Sequence, residues 1–344
     1  MPTLGREEIE GLQEVLATGR ITTGEEVGEF EQTMASYLDL RGAAATSSGT
    51  AALQLSLLAL GVKEGDEVII PSFTCSALLN AVYHCRATPT IVDIDDETMH
   101  ISLAATRKAL SKRTTAIIIP HMFGHPVEHI DDFLALGPPV IEDCAQSLGA
   151  THQGRMTGTW GDAAMFSFYA TKVITTGQGG MVASRNEKIL EGVKDLREYD
   201  KKNNYKVRYN FCMTDLQGRM GSIQVGKLPS FLKTREERAQ LYDKHIQGLK
   251  GVTVPRPGGI YYRYVVRIQG GKLQQIIEQL HHEGIEAQRP VFCPLHRYLG
   301  LDGFEVTEKV YAEALSLPLY PRLEPEAIRT IALCLSRAME EINA

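Results

Sequence analysis

The chain has 344 residues, 43% of them hydrophobic, a formal net charge of −6 and a pI near 6.0. That length suggests about two domains with an ordinary core, and the acidic balance argues against a nucleic-acid or anionic-membrane partner. No apolar run is long enough to span a bilayer, and the opening residues lack the basic-then-apolar order of a signal peptide.

Along the chain, residues 50–60 have helical apolar spacing, and 67–73 read as a strand. Further short strands are expected at 90–94, 115–120, 140–143, 163–168 and 180–183, with connecting helices at 76–85 and 102–110. Val/Ile-rich strands alternating with helices predict an α/β fold with a mostly parallel sheet sandwiched by helices. Ligands of such sheets bind at the carboxyl ends of the strands. Residues 194–206 are charged and poor in apolar groups, which reads as an exposed arm. A long polar helix is expected over 215–248, bent near Pro229, with Leu216, Met220, Ile223 and Leu228 as its buried stripe. From about residue 252 the texture changes: 261–268 alternates like a half-exposed strand, and 273–283 and 325–342 read as amphipathic helices. The expected division is a large domain over 1–240 and a small C-terminal α+β domain over 241–344.

The six cysteines, Cys75, Cys85, Cys144, Cys212, Cys293 and Cys334, show no CxxC spacing and read as the reduced thiols of a cytoplasmic protein. His125, His129 and Asp131 imitate a metal face, but Pro126 interrupts the helix they need and no third strong ligand is evident, so no metal is expected. Dinucleotide and P-loop fingerprints are both missing.

Lys172 lies just beyond the apolar run 163–168 and before the glycine-rich stretch 175–180. A lysine on a tight loop at a strand end is a candidate Schiff-base amine, although most loop lysines are simply solvated. Gly49 and Thr50, after Ser47-Ser48, would stand at a helix N-terminus, either as a phosphate seat or as an ordinary cap. Asp143 ends the 140–143 strand. There an aspartate either pairs with a cation, such as a protonated pyridine nitrogen, or caps the next turn. Glu142 points to the other side of the strand, Gln146 could donate to a ring oxygen, and Ser167 could add a phosphate contact or be a buried serine. The segment 208–215 is either a further site element or a solvated loop with Thr214 or Asp215 capping the next helix.

Taken together, SSGTAAL (47–53), EVIIPSFTCSALLNAV (67–82), PTIVDID (89–95), VIEDCAQSLGATHQG (140–154), MFSFYATK (165–172) and TTGQGGMV (175–182) resemble the DegT-type sugar aminotransferases, fold-type I pyridoxal phosphate enzymes. The likeness continues through YNFCMTDLQGRMGSIQVGKL (209–228), GIEAQRPVFCPLH (284–296) and LSLPLYP (315–321), and includes GRITTGEEVGEFEQTMASYLDL (19–40). It implies pyridoxal 5′-phosphate as cofactor and Lys172 as its Schiff-base lysine. It implies Asp143 on the pyridine nitrogen, Gln146 near the ring oxygen, and Gly49, Thr50 and Ser167 on the phosphate. Asn210 would complete the site of a neighbouring subunit in a homodimer with shared active sites. The implied reaction converts a keto sugar, nucleotide-linked, to an amino sugar with glutamate or glutamine as donor. Amination of a keto-inositol or non-sugar ketone is the alternative, as is a non-catalytic regulator on the same fold. Three positions depart from the pattern. Cys75 stands where an aromatic residue often stacks on the ring, a role open to Cys75, to Phe73 or to another aromatic. Cys212 replaces a frequent arginine and Gln178 a frequent glutamate.

Overall fold

Short segments with few charges pair into one seven-stranded sheet in the computed structural model, which describes residues 2–343. Its strands are β1 (Gly42–Thr46), β2 (Glu67–Pro71), β3 (Thr88–Val92), β4 (Thr114–Pro120) and β5 (Val140–Asp143), then, after a small hairpin of β6 (Thr151–His152) and β7 (Arg155–Met156), β8 (Ala163–Ser167) and β9 (Gly180–Ser184). The order is β1-β9-β8-β5-β4-β2-β3. Pairings from β3 through β8 are parallel; β9 alone runs antiparallel to both its neighbours, β1 and β8. Val68, Ile69, Ile70, Ile117, Ile118 and Ile141 are fully buried, as strands covered on both faces require.

Helices α1 (Arg6–Thr18), α2 (Glu25–Leu38), α3 (Gly49–Ala59), α4 (Ala77–His84), α5 (Leu103–Ala109), α6 (Ile130–Leu134) and α7 (Glu187–Leu196) precede the long α8 (Asp215–Ile246). The expected stripe of α8 is mostly wrong. Of its four residues only Leu228 is buried, and the buried face instead carries Gly218, Gly221, Gln224, Val225, Phe231 and Arg235. The cause is close approach to α2: a Cβ on Gly218 would stand 2.7 Å from the Glu26 carbonyl, and one on Gly221 2.6 Å from the Phe30 ring. Asp215 does not cap its own helix. Thr214 does that, while the Asp215 carboxylate accepts from Gly24 N at 2.8 Å and Val27 N at 3.1 Å, capping α2. Residues 194–196 belong to α7, and the arm that follows is tied down, with Lys202 and Arg208 at 3.4 and 3.0 Å from Asp195 and Lys206 paired to it as well.

The C-terminal part builds a three-stranded antiparallel sheet, β10 (Val252–Thr253), β11 (Tyr264–Ile268) and β12 (Ala314–Leu317), in the order β10-β11-β12. Helices α9 (Leu273–His282), α11 (Glu305–Glu313) and α12 (Pro325–Asn343) accompany it, while the short α10 (Leu295–Tyr298) buries Leu295 in the core of the large sheet. It has its own core, in which Tyr242 of α8 stacks on Tyr264 at 4.6 Å. Polar clasps join it to the large sheet. Asp93 accepts from Val306 N, Thr307 N and the Thr307 hydroxyl, and Ser72 Oγ lies 2.6 Å from His296 Nδ1. No helix among the described residues is long and apolar enough to cross a membrane.

Candidate active site

Strand register brings the chemistry to one edge. Thr46 of β1 and Ser167 of β8 both pair with Gly180 of β9, and Asp143 ends β5 beside Pro120 of β4. The five parallel strands β3, β2, β4, β5 and β8, and β1 with them, therefore present their carboxyl ends to the same side.

At that edge α3 begins. Ser48 is its N-cap, accepting from Ala51 N at 3.1 Å, and the Ser48 carbonyl accepts from Ala52 N. The N–H groups of Gly49 and Thr50 have no partner among the described residues, which leaves two aligned donors at the positive end of the helix. Gly49 abuts Ser167, since a Cβ there would lie 2.9 Å from Ser167 Cβ and 3.2 Å from its hydroxyl. Gly180 is packed still harder. A Cβ on it would meet Ser48 O at 2.3 Å and Gly49 N at 2.6 Å, so only glycine lets β9 pass beneath the helix start.

Lys172 is mounted on a loop with little freedom. Phe168 N donates to Gly179 O (2.9 Å), Thr176 N to Phe168 O (3.0 Å) and Lys172 N to Tyr169 O (2.9 Å). Phe168, packed 4.9 Å from Phe30, and buried Val173 and Ile174 anchor the loop on either side of the lysine. Lys172 is half-buried, its Nζ 5.1 Å above the centre of the Tyr262 ring. It is thus not an ordinary solvated lysine.

Asp143 and Glu142 divide their roles as strand alternation requires. Glu142 is wholly enclosed. It accepts from Gly158 N, Trp160 N and Gly161 N at 2.7–2.8 Å and from His121 Nε2 at 2.9 Å. Burial pushes its carboxyl up, but His121 and the backbone donors hold it below its ordinary value. His121 Nδ1 in turn accepts from Val127 N, so the ring is a fixed brace. His121, Glu142 and Cys144 come close enough to suggest a metal cluster, yet these bonds occupy both Glu142 oxygens and both His121 nitrogens. The His125–His129–Asp131 grouping does not form: His125 is half-buried, edge-on to Tyr261 and brought down to about pKa 4 chiefly by desolvation, and His129 is exposed.

Asp143 is 7% exposed and receives one donor, Ala145 N at 2.9 Å. Burial raises its pKa, opposed by that bond and by the nearby Lys172 ammonium. Gln146 accepts from Phe123 N through Oε1 at 2.8 Å, which turns its amide N–H₂ outward as a free donor. Asn210 is exposed with no side-chain partner among the described residues, while Tyr209 N and Phe211 N are bonded to Leu196 O and Arg197 O on either side of it. Phe211 O accepts from Ser47 N, so Asn210 stands next to the α3 seat. Cys75 is exposed, whereas Phe73 is fully buried against Phe123 and is a core residue. Cys212 bonds the Arg197 carbonyl. Tyr262, which lies under Lys172 Nζ, and Arg263 and Arg235, which contact Tyr262, carry no signal in the sequence; 261–268 reads there only as a strand.

Solved structures share this fold. NtdA from Bacillus subtilis, with bound cofactor PMP, superposes with a TM-score of 0.90 at 26% identity, covering 98% of this chain and 83% of that one. The fold is that of a pyridoxal-phosphate-dependent aminotransferase. The family model "DegT/DnrJ/EryC1/StrS aminotransferase family" matches residues 2–336, and the chain belongs to that family. Relatives include the GDP-perosamine synthase of Caulobacter vibrioides, 34% identical over 96% of this chain and 95% of that protein. Another is dTDP-4-dehydro-2,3,6-trideoxy-D-glucose 4-aminotransferase of Saccharopolyspora spinosa, 30% identical over 98% and 96%.

Proposed function

We propose that this enzyme aminates a nucleotide-linked keto sugar, taking the amino group from glutamate or glutamine, and that two copies of the chain share their sites. The observation that carries it is the meeting of Lys172, Asp143 and Ser167 at the sheet edge beside the open N-terminus of α3. Relatives acting on GDP- and dTDP-linked sugars support the substrate class and leave the nucleotide open.

The residues suit pyridoxal phosphate chemically. Asp143 is a buried carboxylate short of donors, a position a pyridinium would complete. Gly49 N–H, Thr50 N–H and the Ser167 hydroxyl would receive the phosphate, and the Gln146 amide would reach the ring oxygen. The cofactor, when bound, supplies an electron sink for the carbon that carries the amine. Lys172 Nζ would hold the cofactor covalently at rest. Once displaced by the donor's amine, it would serve as the base that takes the proton from the donor's α-carbon and as the acid that delivers it to the cofactor carbon bearing the amine. Asp143 would keep the ring nitrogen protonated by its negative charge. The loop bonds around Phe168 and Thr176 keep Nζ aimed. Asn210, exposed beside its own seat, is offered to the partner subunit's phosphate.

Borohydride reduction and peptide mapping should place the cofactor on Lys172, and glutamate with a panel of nucleotide-linked keto sugars should yield an amino sugar identifiable by mass spectrometry and NMR. A label on another lysine, or no amination across the panel, overturns this function.

A further inference from the structure

A cavity of about 460 Å³ opens beside Lys172, lined by Thr171, Tyr262, Arg235, Arg263, Gln288 and Ser316 among others. Two of its walls are guanidiniums with no carboxylate in ion-pair range among the described residues. Arg235 is 95% buried by exposure (5% exposed), and this is an unusual state for a charge without a counter-ion. Its Nη1 donates to the carbonyls of Tyr261, Tyr262 and Leu319, each at 3.2 Å, while its Nε has no partner. Burial lowers its pKa only to about 10, so it stays charged at neutral pH. Arg263 is half-buried, lies 5.8 Å from the Tyr262 ring centre and makes one long bond, 3.3 Å, to Ser316 Oγ. Lys172 Nζ sits 5.1 Å from that same ring centre, so the two guanidiniums flank the residue on which the amine rests.

We propose that this cavity is an oxyanion subsite of the amino donor, with Arg263 as its contacting group and Arg235 as the buried charge behind it, holding a carboxylate while the donor's amine reaches Lys172. A planar guanidinium fork matches a carboxylate with two parallel bonds. Exposed Glu286 also lines the cavity and opposes a doubly charged phosphate more than a single carboxylate. The inference rests on the transaminase reading, and it adds where the donor is held.

The test titrates the holoenzyme calorimetrically with glutarate, with uncharged glutaramide and with inorganic phosphate. Glutarate should bind wild type, glutaramide should not, and Arg263→Gln should weaken glutarate at least tenfold while Arg263→Lys recovers part of it. In steady state, Arg263→Gln should raise KM for glutamate by a similar factor and leave KM for the keto sugar within twofold. Arg235→Lys should weaken glutarate as well; if that variant does not fold, the Arg263 pair still decides. Unchanged glutarate affinity in Arg263→Gln overturns the subsite. Phosphate binding tighter than glutarate, and lost in Arg263→Gln, overturns the donor assignment in favour of a substrate phosphate. A failure of the transaminase reading looks different: Lys172 is then unlabelled by borohydride whatever glutarate does.

Discussion

Replacing Asp143 by Asn keeps its volume and its bond from Ala145 N and removes only the charge. Without cofactor, that charge is 7% exposed, has a single donor and is held above its usual pKa by burial. A carboxyl with a raised folded-state pKa binds more protons folded than unfolded, so stability falls as pH climbs through the shifted range and the penalty is complete above it. Asp143→Asn should therefore leave the cofactor-free protein as stable as wild type or more so at pH 7, and the difference should vanish at low pH where both are neutral. With cofactor the sign inverts. Losing one partner of a buried ion pair costs about 3–5 kcal/mol, which at 1.36 kcal/mol per tenfold is on the order of a hundred- to several-thousand-fold in turnover or cofactor affinity. Thermal melts of both forms, cofactor titration and single-turnover rates measure these terms. A destabilised cofactor-free variant with near-wild-type turnover would show that Asp143 is a structural turn residue and refute the reasoning.

Gly180→Ala should push the α3 start off its seat, because the new methyl meets backbone atoms that cannot swing aside. Overpacking of about 1–3 kcal/mol predicts a loss of roughly 5- to 150-fold in cofactor affinity by equilibrium titration, and an unchanged affinity would mean that α3 does not hold the phosphate. Co-refolding Lys172→Ala with Asn210→Ala should restore up to about a quarter of wild-type activity through mixed dimers with one intact site; silence from proven heterodimers would assign Asn210 to its own chain. Asp195, brought to about pKa 2 by Lys206 and Arg208 against the opposing effect of burial, should pin the 201–208 segment above pH 3.8 and release it as pH falls toward 2. Since the pairs are partly exposed, the tether is worth about 1 kcal/mol. Asp195→Asn should speed tryptic cleavage after Lys202 and Lys206 at neutral pH, and equal rates would show that other contacts hold the segment.

Local patterns carried much of this architecture. β5 has the expected bounds, 140–143, and the strands at 115–120, 163–168 and 180–183 are displaced by one residue at most at either end. β1 escapes notice because Gly42-Ala43-Ala44-Ala45-Thr46 has no strand signature of its own; pairing with β9 makes it a strand. The α8 stripe misleads for a related reason. Its closest packing is made by glycines, which a search for apolar side chains passes over. Strand alternation was enough to choose Asp143 over Glu142, but not to see why Glu142 is charged and buried, since its donors at 158, 160 and 161 lie on a later turn. Tyr262 reaches Lys172, and Arg263 and Arg235 reach Tyr262, only through tertiary folding.

The glycine passage beneath α3 also sets an order of events. The anion seat needs β9 under the helix start, and α2, packed on that same sheet, needs Asp215, 191 residues beyond Gly24. Such distant closures come late, because chain entropy opposes them until the intervening strands have collapsed. A growing chain that has not yet delivered residues 180–215 can hold most of the sheet but no finished anchor. Cofactor capture then reports completed assembly of the large sheet, and amino-terminal fragments ending before β9 should stay free of it.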